Sequence, residues 1–397
     1  MSTEQDFDPA APLAGPPDPW AYASQPSIRS GPPYHMTDMI EAEPALARRL
    51  LGRDPGSNGT SSLAVAVRAA VSAGEPIVVT GCGTSEHGAL GLVEILRDAL
   101  RAAGYPNAAI HAEQAFERSL DPLSRGLVIG ISHEGGTGAT NAALARSRAA
   151  GATTAIVTVS RRSPAGAFAD IVVETGELDH SWCHTIGYLS PLLVAAAVGS
   201  ILSDRALDVE AVVRLLAAGT RDERGAERIA AELAGAQHLL VIASGADRPA
   251  GRELAIKVEE ASWLPSTFRD LETFLHGHLP ATGPETGLVL ILADRAGRPK
   301  RLARALQALA GAREIGLRTA AIVAADLDAA IERGLTPAGR LLVAEAADLP
   351  APIAALFGTA TPLQLLTERL ARARGANPDP IRRDDPVYFR AAEAAGG

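Results

Sequence analysis

The sequence of 397 residues carries 37 Lys and Arg against 46 Asp and Glu, a formal net charge of −9, and is 47% hydrophobic but only 4% aromatic. That acidic balance argues against nucleic acid as a partner, because phosphate backbones call for clustered basic residues on one face. The length favours two domains at roughly 150 residues each. The only two cysteines, Cys82 and Cys183, make neither a disulfide framework nor a zinc knuckle and fit a reducing, cytoplasmic setting.

Residues 1–35 are rich in Pro, Gly, Ala and Ser without an apolar period, which predicts a disordered or loosely draped N-terminal tail. The opening Met1-Ser2-Thr3-Glu4-Gln5-Asp6 is acidic where a secretion signal would be basic and then apolar. A helix is expected from Thr37, with Met39, Ile40, Leu46 and Leu50 on one stripe. Solid apolar strands then alternate with helices. They run Ile77–Thr80, a helix His87–Ala103, Leu127–Ile131, a helix Thr137–Ala150, Ala155–Val159 and Ile171–Val173, closed by a long apolar helix Ile186–Leu202. That helix contains Ser190, Pro191 and Ser200 and is read as short of the roughly 18 apolar residues a membrane span needs, so no membrane role is expected.

The second half repeats the order: Leu239–Ala243, a helix Pro249–Trp263, Leu288–Leu292, a helix Pro299–Ala312, Ala320–Val323, Leu341–Val343 and a helix Pro352–Arg374. Corresponding strands lie roughly 160 residues apart, the mark of a duplicated domain. The expected division is 36–215, with the leading helix, and 216–397, with a C-terminal tail. Alternating strands and helices make each half α/β with a parallel sheet, and in such sheets ligands bind beyond the carboxyl ends of the strands.

Two loops at those ends carry chemistry. Gly81-Cys82-Gly83-Thr84-Ser85 joins a buried strand to a helix start, where hydroxyls and free N–H groups suit an anion; the plainer reading is an N-cap after a tight turn. Ser132-His133-Glu134-Gly135-Gly136-Thr137 has the same placement. On the helix 249–263, Glu253, Lys257 and Glu260 fall on one stripe flanked by Ile256, Trp263, Leu254, Val258 and Ala261. A solvated ion ladder would sit on the polar face; this one runs through the apolar arc, where charges are costly and tend to be functional. His180, Cys183 and His184, with His276 and His278, complete no recognised metal pattern.

Gly-x-Gly-Thr-Ser followed by Ile-Ser-x-x-Gly-x-Thr resembles the sugar isomerase (SIS) domain family, as in the isomerase half of glucosamine-6-phosphate synthase. The resemblance spans about Met36 to Arg383. It implies two tandem SIS domains, each a five-stranded parallel sheet flanked by helices in a flavodoxin-like three-layer arrangement. It implies that Thr84, Ser85, Ser132 and Thr137 hold a sugar phosphate. Glu134 stands where the family loop usually has a second Ser, so either its carboxylate turns outward or the ligand is less anionic than a sugar phosphate. By the same likeness Glu260 is the base that moves a proton between C1 and C2, with Glu253 and Lys257 beside it. His276, in Leu275-His276-Gly277, opens the sugar ring and is lent by a neighbouring subunit, implying a homodimer. The family's C-terminal lysine has no counterpart after Lys300, and Arg382 or Arg383 would replace it. No cofactor is implied. The expected function is aldose–ketose isomerisation of a sugar phosphate or amino-sugar phosphate, or the related deamination or deglycation, without a glutaminase half. The alternative is a non-catalytic phosphosugar-sensing protein.

Overall fold

The computed structural model describes residues 7–22 and 26–396. In the first half the chain forms α1 (His35–Leu51), α2 (Thr60–Ser72), β1 (Ile77–Gly81), α3 (Thr84–Ala102), β2 (Ile110–Gln114), α4 (Ala115–Leu120), β3 (Leu127–Ile131), α5 (Gly138–Ala150), β4 (Thr153–Thr158), β5 (Ile171–Glu174) and α6 (Ile186–Ser203). Two helices, α7 (Val209–Gly219) and α8 (Glu223–Leu233), lead into the second half. It holds β6 (His238–Ala243), α9 (Arg248–Ser262), β7 (Ser266–Asp270), the single turn α10 (Leu271–Thr273), β8 (Thr286–Leu292), α11 (Arg298–Ile315), β9 (Arg318–Ala324), β10 (Gly339–Val343) and α12 (Ala351–Ala373). A short α13 (Pro386–Ala394) follows.

The strands pair in parallel as β2-β1-β3-β4-β5 and, read in the same sense, β7-β6-β8-β9-β10. This is the expected α/β architecture, twice over, in flavodoxin-like order. β1, β3 and β8 are buried at every residue, because helices cover both faces of these inner strands. One edge strand of each sheet, β2 (Ile-His-Ala-Glu-Gln) and β7 (Ser-Thr-Phe-Arg-Asp), is only partly covered.

One apolar core runs through both halves, joining residues of α3 and α6 to residues of α9 and α12. Gly91 permits a close approach: a Cβ there would stand 2.4 Å from Leu192 of α6 and 3.5 Å from Leu356 of α12. The packing fixes α3 of one half against α9 of the other. α6 has the length and composition of a membrane span, which corrects the sequence reading, but 78% of it is buried inside the fold as a core helix.

The leading segment is also more anchored than its composition suggests. Leu13 is buried, and its N–H donates to Glu177 at 2.9 Å. Arg49 bridges Glu177 to the Ala10 carbonyl, and Asp18 pairs with Arg162. These contacts drape residues 7–22 over the first half; residues 1–6 and 23–25 of the segment lie outside the described residues.

Candidate active site

In a sheet of order 2-1-3-4-5 the chain departs in opposite directions from β1 and β3, which opens a crevice beyond their carboxyl ends. Both Ser/Thr-bearing loops emerge there. Gly83 turns the chain from β1 into α3 with φ +56, and a Cβ on it would lie 3.6 Å from Ile256 of α9. Thr84 is therefore the first residue of α3 and faces the second half, donating through its hydroxyl to Glu253 at 3.3 Å. One turn on, His87 Nδ1 lies 2.8 Å from the other oxygen of Glu253.

Glu253 is fully buried, and Lys257 is 1% exposed. Lys257 Nζ sits 2.6 Å from Glu260 Oε2 and 3.8 Å from Glu253 Oε1. Burial alone would lower the Lys257 pKa; the carboxylates, Glu260 first and then Glu253, outweigh it, and the net shift is upward. The ammonium thus stays charged, and of the three only Glu260 reaches solvent, its side chain 26% exposed. Along the opposite side of α9, Glu259 is exposed and Arg252 stacks over Phe268. Ala255 and Ser262 are buried, so the covered arc is wider than a strict amphipathic stripe.

A third segment, 178–185 between β5 and α6, closes on the array from the first half. Asp179 is buried, which pushes its pKa up to about 6 against the opposing pull of three backbone N–H donors, those of Ser181, Thr185 and Gly187. His133 points inward from the second loop, where Nε2 accepts the Asp179 N–H at 3.0 Å and burial lowers its pKa to about 4. The His184 ring packs edge-on against it at 5.2 Å, and burial first, then the neighbouring His133 and Lys257, lower its pKa too. Both imidazoles are neutral near pH 7, and His133 carries its proton on Nδ1.

The equivalent crevice of the second half, beyond β6 and β8, is filled from within. Asp247 accepts the N–H groups of Ala293 and Asp294 at 2.8 and 3.0 Å, while Asp294 accepts that of Ala246 at 3.0 Å and pairs with Arg301. Backbone donors that would hold a ligand's anion there hold carboxylates of the chain itself. Asp247 is buried, and that burial raises its pKa to about 7.

The sequence-expected residues are distributed unevenly. Ser132 is buried and its hydroxyl donates to that of Thr137 at 3.3 Å, with Thr137 exposed at the start of α5; Ser85 is half-buried beside Thr84. His276 stands apart from α9 on an irregular turn with Gly277 at φ +119. Its side chain is 68% exposed, and Nε2 lies 2.7 Å from Glu272, which also binds Arg304. Arg382 is clasped between Trp263, at 4.5 Å, and Tyr388, at 3.7 Å. It lines a cavity of about 360 Å³ that Glu260 also borders. Arg383 stacks over Trp182 instead. A larger groove of about 950 Å³ beside Arg68 and Tyr105 is remote from these groups and gathers no convergent chemistry. Sequence reasoning passed over His87, Asp179 and His133; the one available signal was the helical spacing that sets His87 under Thr84.

A model of the SIS domain family matches residues 72–199 and 232–334. The glutamine–fructose-6-phosphate aminotransferase (isomerizing) of Gloeobacter violaceus is 29% identical over 324 residues, covering 78% of this chain and 51% of that protein. Its counterpart in Methanothermobacter thermautotrophicus is 28% identical over 312 residues, covering 77% and 50%. The chain thus spans about half the length of the curated relatives it matches. Among solved structures, the C-terminal domain of glucosamine-fructose-6-phosphate aminotransferase from Francisella tularensis superposes with a TM-score of 0.75 at 17% identity, covering 89% of this chain and 99% of that one. Tagatose-6-phosphate ketose/aldose isomerase from Escherichia coli gives 0.67 at 17% identity over 90% and 98%. At these identities the superpositions speak for the fold.

Proposed function

This chain belongs to the SIS domain family, and from that premise we propose that it moves a proton between C1 and C2 of a sugar phosphate or amino-sugar phosphate. The observation that carries the reading is the Glu253–Lys257–Glu260 array, in which a buried, permanently charged ammonium orients the one carboxylate that reaches solvent. Glu260 takes the C2 hydrogen of the open-chain aldose as a proton, the C–H electrons form the C1–C2 double bond, and the carbonyl oxygen gains a proton. Return of a proton to C1, as the C2 hydroxyl gives up its own proton and the O–H electrons form the C2 carbonyl, completes the ketose. The reaction needs no cofactor. Thr84, Ser85, Ser132 and Thr137, on neighbouring strand ends, hold the phosphate, with helix N-termini adding their dipoles. Because the second crevice is filled by Asp247 and Asp294, each chain takes one such anion.

His276 serves the active site of a second copy in a homodimer. Its exposure, and its contact with Glu272 rather than α9, support a role outside its own chain. A second reading, binding without turnover, is favoured by Glu134 in the phosphate loop. The test is incubation with glucosamine 6-phosphate, fructose 6-phosphate and the other hexose 6-phosphates, followed by NMR. Interconversion or ammonia release supports the enzyme, and saturable binding with neither supports the sensor.

A further inference from the structure

Glu253 is a carboxylate with no access to solvent, and both its oxygens must be satisfied inside the protein. Its donors do not come from its own helix alone. Oε2 takes the Nδ1 proton of His87 at 2.8 Å, while Oε1 is shared between the Thr84 hydroxyl at 3.3 Å and Lys257 Nζ at 3.8 Å. A carboxylate only accepts, so His87 is fixed as the tautomer with its proton on Nδ1. His87 and Thr84 sit on one face of α3, in the first half; Glu253, Lys257 and Glu260 sit on α9, in the second.

We propose that His87 is a positioning residue that couples the anion loop of the first half to the proton-transfer helix of the second, acting through Glu253. This rests on the function proposed above. The Thr84 hydroxyl has one proton, and without a ligand Glu253 Oε1 receives it. An anion bound at the start of α3 draws that proton away. With Oε2 pinned by His87, the carboxylate cannot swing to another donor, and Oε1 is left to Lys257. Lys257 then divides its charge between Glu253 and Glu260, which loosens its hold on Glu260 when a substrate is in place and makes that carboxylate the stronger base. The groups facing this pair from neighbouring elements are Asp179, Cys183 and His184 of the 178–185 segment and Tyr188 of α6; none supplies a second donor to Glu253.

The test compares hydrogen exchange from C1 of fructose 6-phosphate and from C2 of glucosamine 6-phosphate in deuterated buffer by wild type, His87→Leu, His87→Asn, Glu253→Gln and the His87→Leu/Glu253→Gln pair. Loss of one hydrogen bond to a charged group should cut kcat about 10- to 100-fold in His87→Leu. His87→Asn, whose amide N–H can replace Nδ1–H, should recover most of that loss, and the pH profile of kcat should move in His87→Leu. The double variant should be no slower than Glu253→Gln alone. Additive losses, or His87→Asn as impaired as His87→Leu, overturn the proposal. A second readout does not depend on turnover. The His87 Nδ1 proton should exchange slowly by NMR, lose protection in Glu253→Gln, and shift on adding inorganic phosphate in wild type but not in Thr84→Val. A phosphate response that survives Thr84→Val overturns the coupling. Undiminished exchange in Glu260→Gln would instead sink the isomerase reading and leave this result standing.

Discussion

Lys257 Nζ lies 2.6 Å from Glu260 and 3.8 Å from Glu253, yet its own side chain is 1% exposed. An ammonium that far from water is tolerable because two carboxylates face it. Lys257→Met should therefore lower stability by about 3–5 kcal/mol, the cost of leaving a buried charge without its partner. It should also abolish turnover of any substrate that wild type converts. Urea unfolding checks the first statement; a variant as stable as wild type would mean that His87 and Thr84 alone satisfy Glu253.

Asp247 gives a pH dependence of stability with a definite sign. Burial raises its folded pKa from 3.8 to about 7. Between those values the folded protein binds more protons than the unfolded chain. The stability this group contributes is thus greatest at low pH and is lost as pH rises through about 7. Asp247→Asn removes the titration and keeps an oxygen for the Ala293 and Asp294 N–H groups. The stability difference, variant minus wild type, should rise by a few kcal/mol, on the order of 1.4 per pKa unit, between pH 4 and pH 8. Denaturation midpoints across that range measure it, and a flat difference contradicts the assignment.

Glu134 tests the anion site. Restoring a hydroxyl with Glu134→Ser removes a carboxylate from the phosphate loop. Affinity for a hexose 6-phosphate should rise by about five- to tenfold, the order of one unit-charge repulsion of about 1 kcal/mol screened as in water, while affinity for the unphosphorylated hexose stays constant. Calorimetric titration of both sugars distinguishes this from a general effect on the fold.

His276 tests the assembly. Glu260→Gln and His276→Asn homodimers should each be inactive when assayed alone. Mixed and re-equilibrated, they should recover up to about a quarter of wild-type activity, because half the dimers are mixed and each carries one intact site. No recovery on subunit exchange, with exchange itself shown by mass, contradicts a shared active site.

How much of this was legible in the sequence follows from where each signal resides. β3 and β8 are rich in Leu, Val and Ile and buried at every residue, so composition alone marks them. β2 and β7 are edge strands holding His111, Glu113, Arg269 and Asp270, and a half-covered edge does not require the apolar pattern that reveals a strand. The α9 stripe was readable because Glu253, Lys257 and Glu260 recur at helical spacing between apolar neighbours. His87 was not, since its meaning depends on α3 of one half meeting α9 of the other, 166 residues away. The filled second crevice was equally hidden: Asp247 and Asp294 are ordinary loop acids until the fold sets Asp247 against the Asp294 N–H and Asp294 against the Ala246 N–H.

The central claim is that Glu260 is the base. Solvent deuterium incorporation at C1 and C2 of hexose and amino-hexose 6-phosphates, wild type against Glu260→Gln, tests it most directly. Wild type should catalyse incorporation, and Glu260→Gln should reduce it at least about 1,000-fold, as for loss of a general base, with binding retained. Equal incorporation by the two proteins would contradict it.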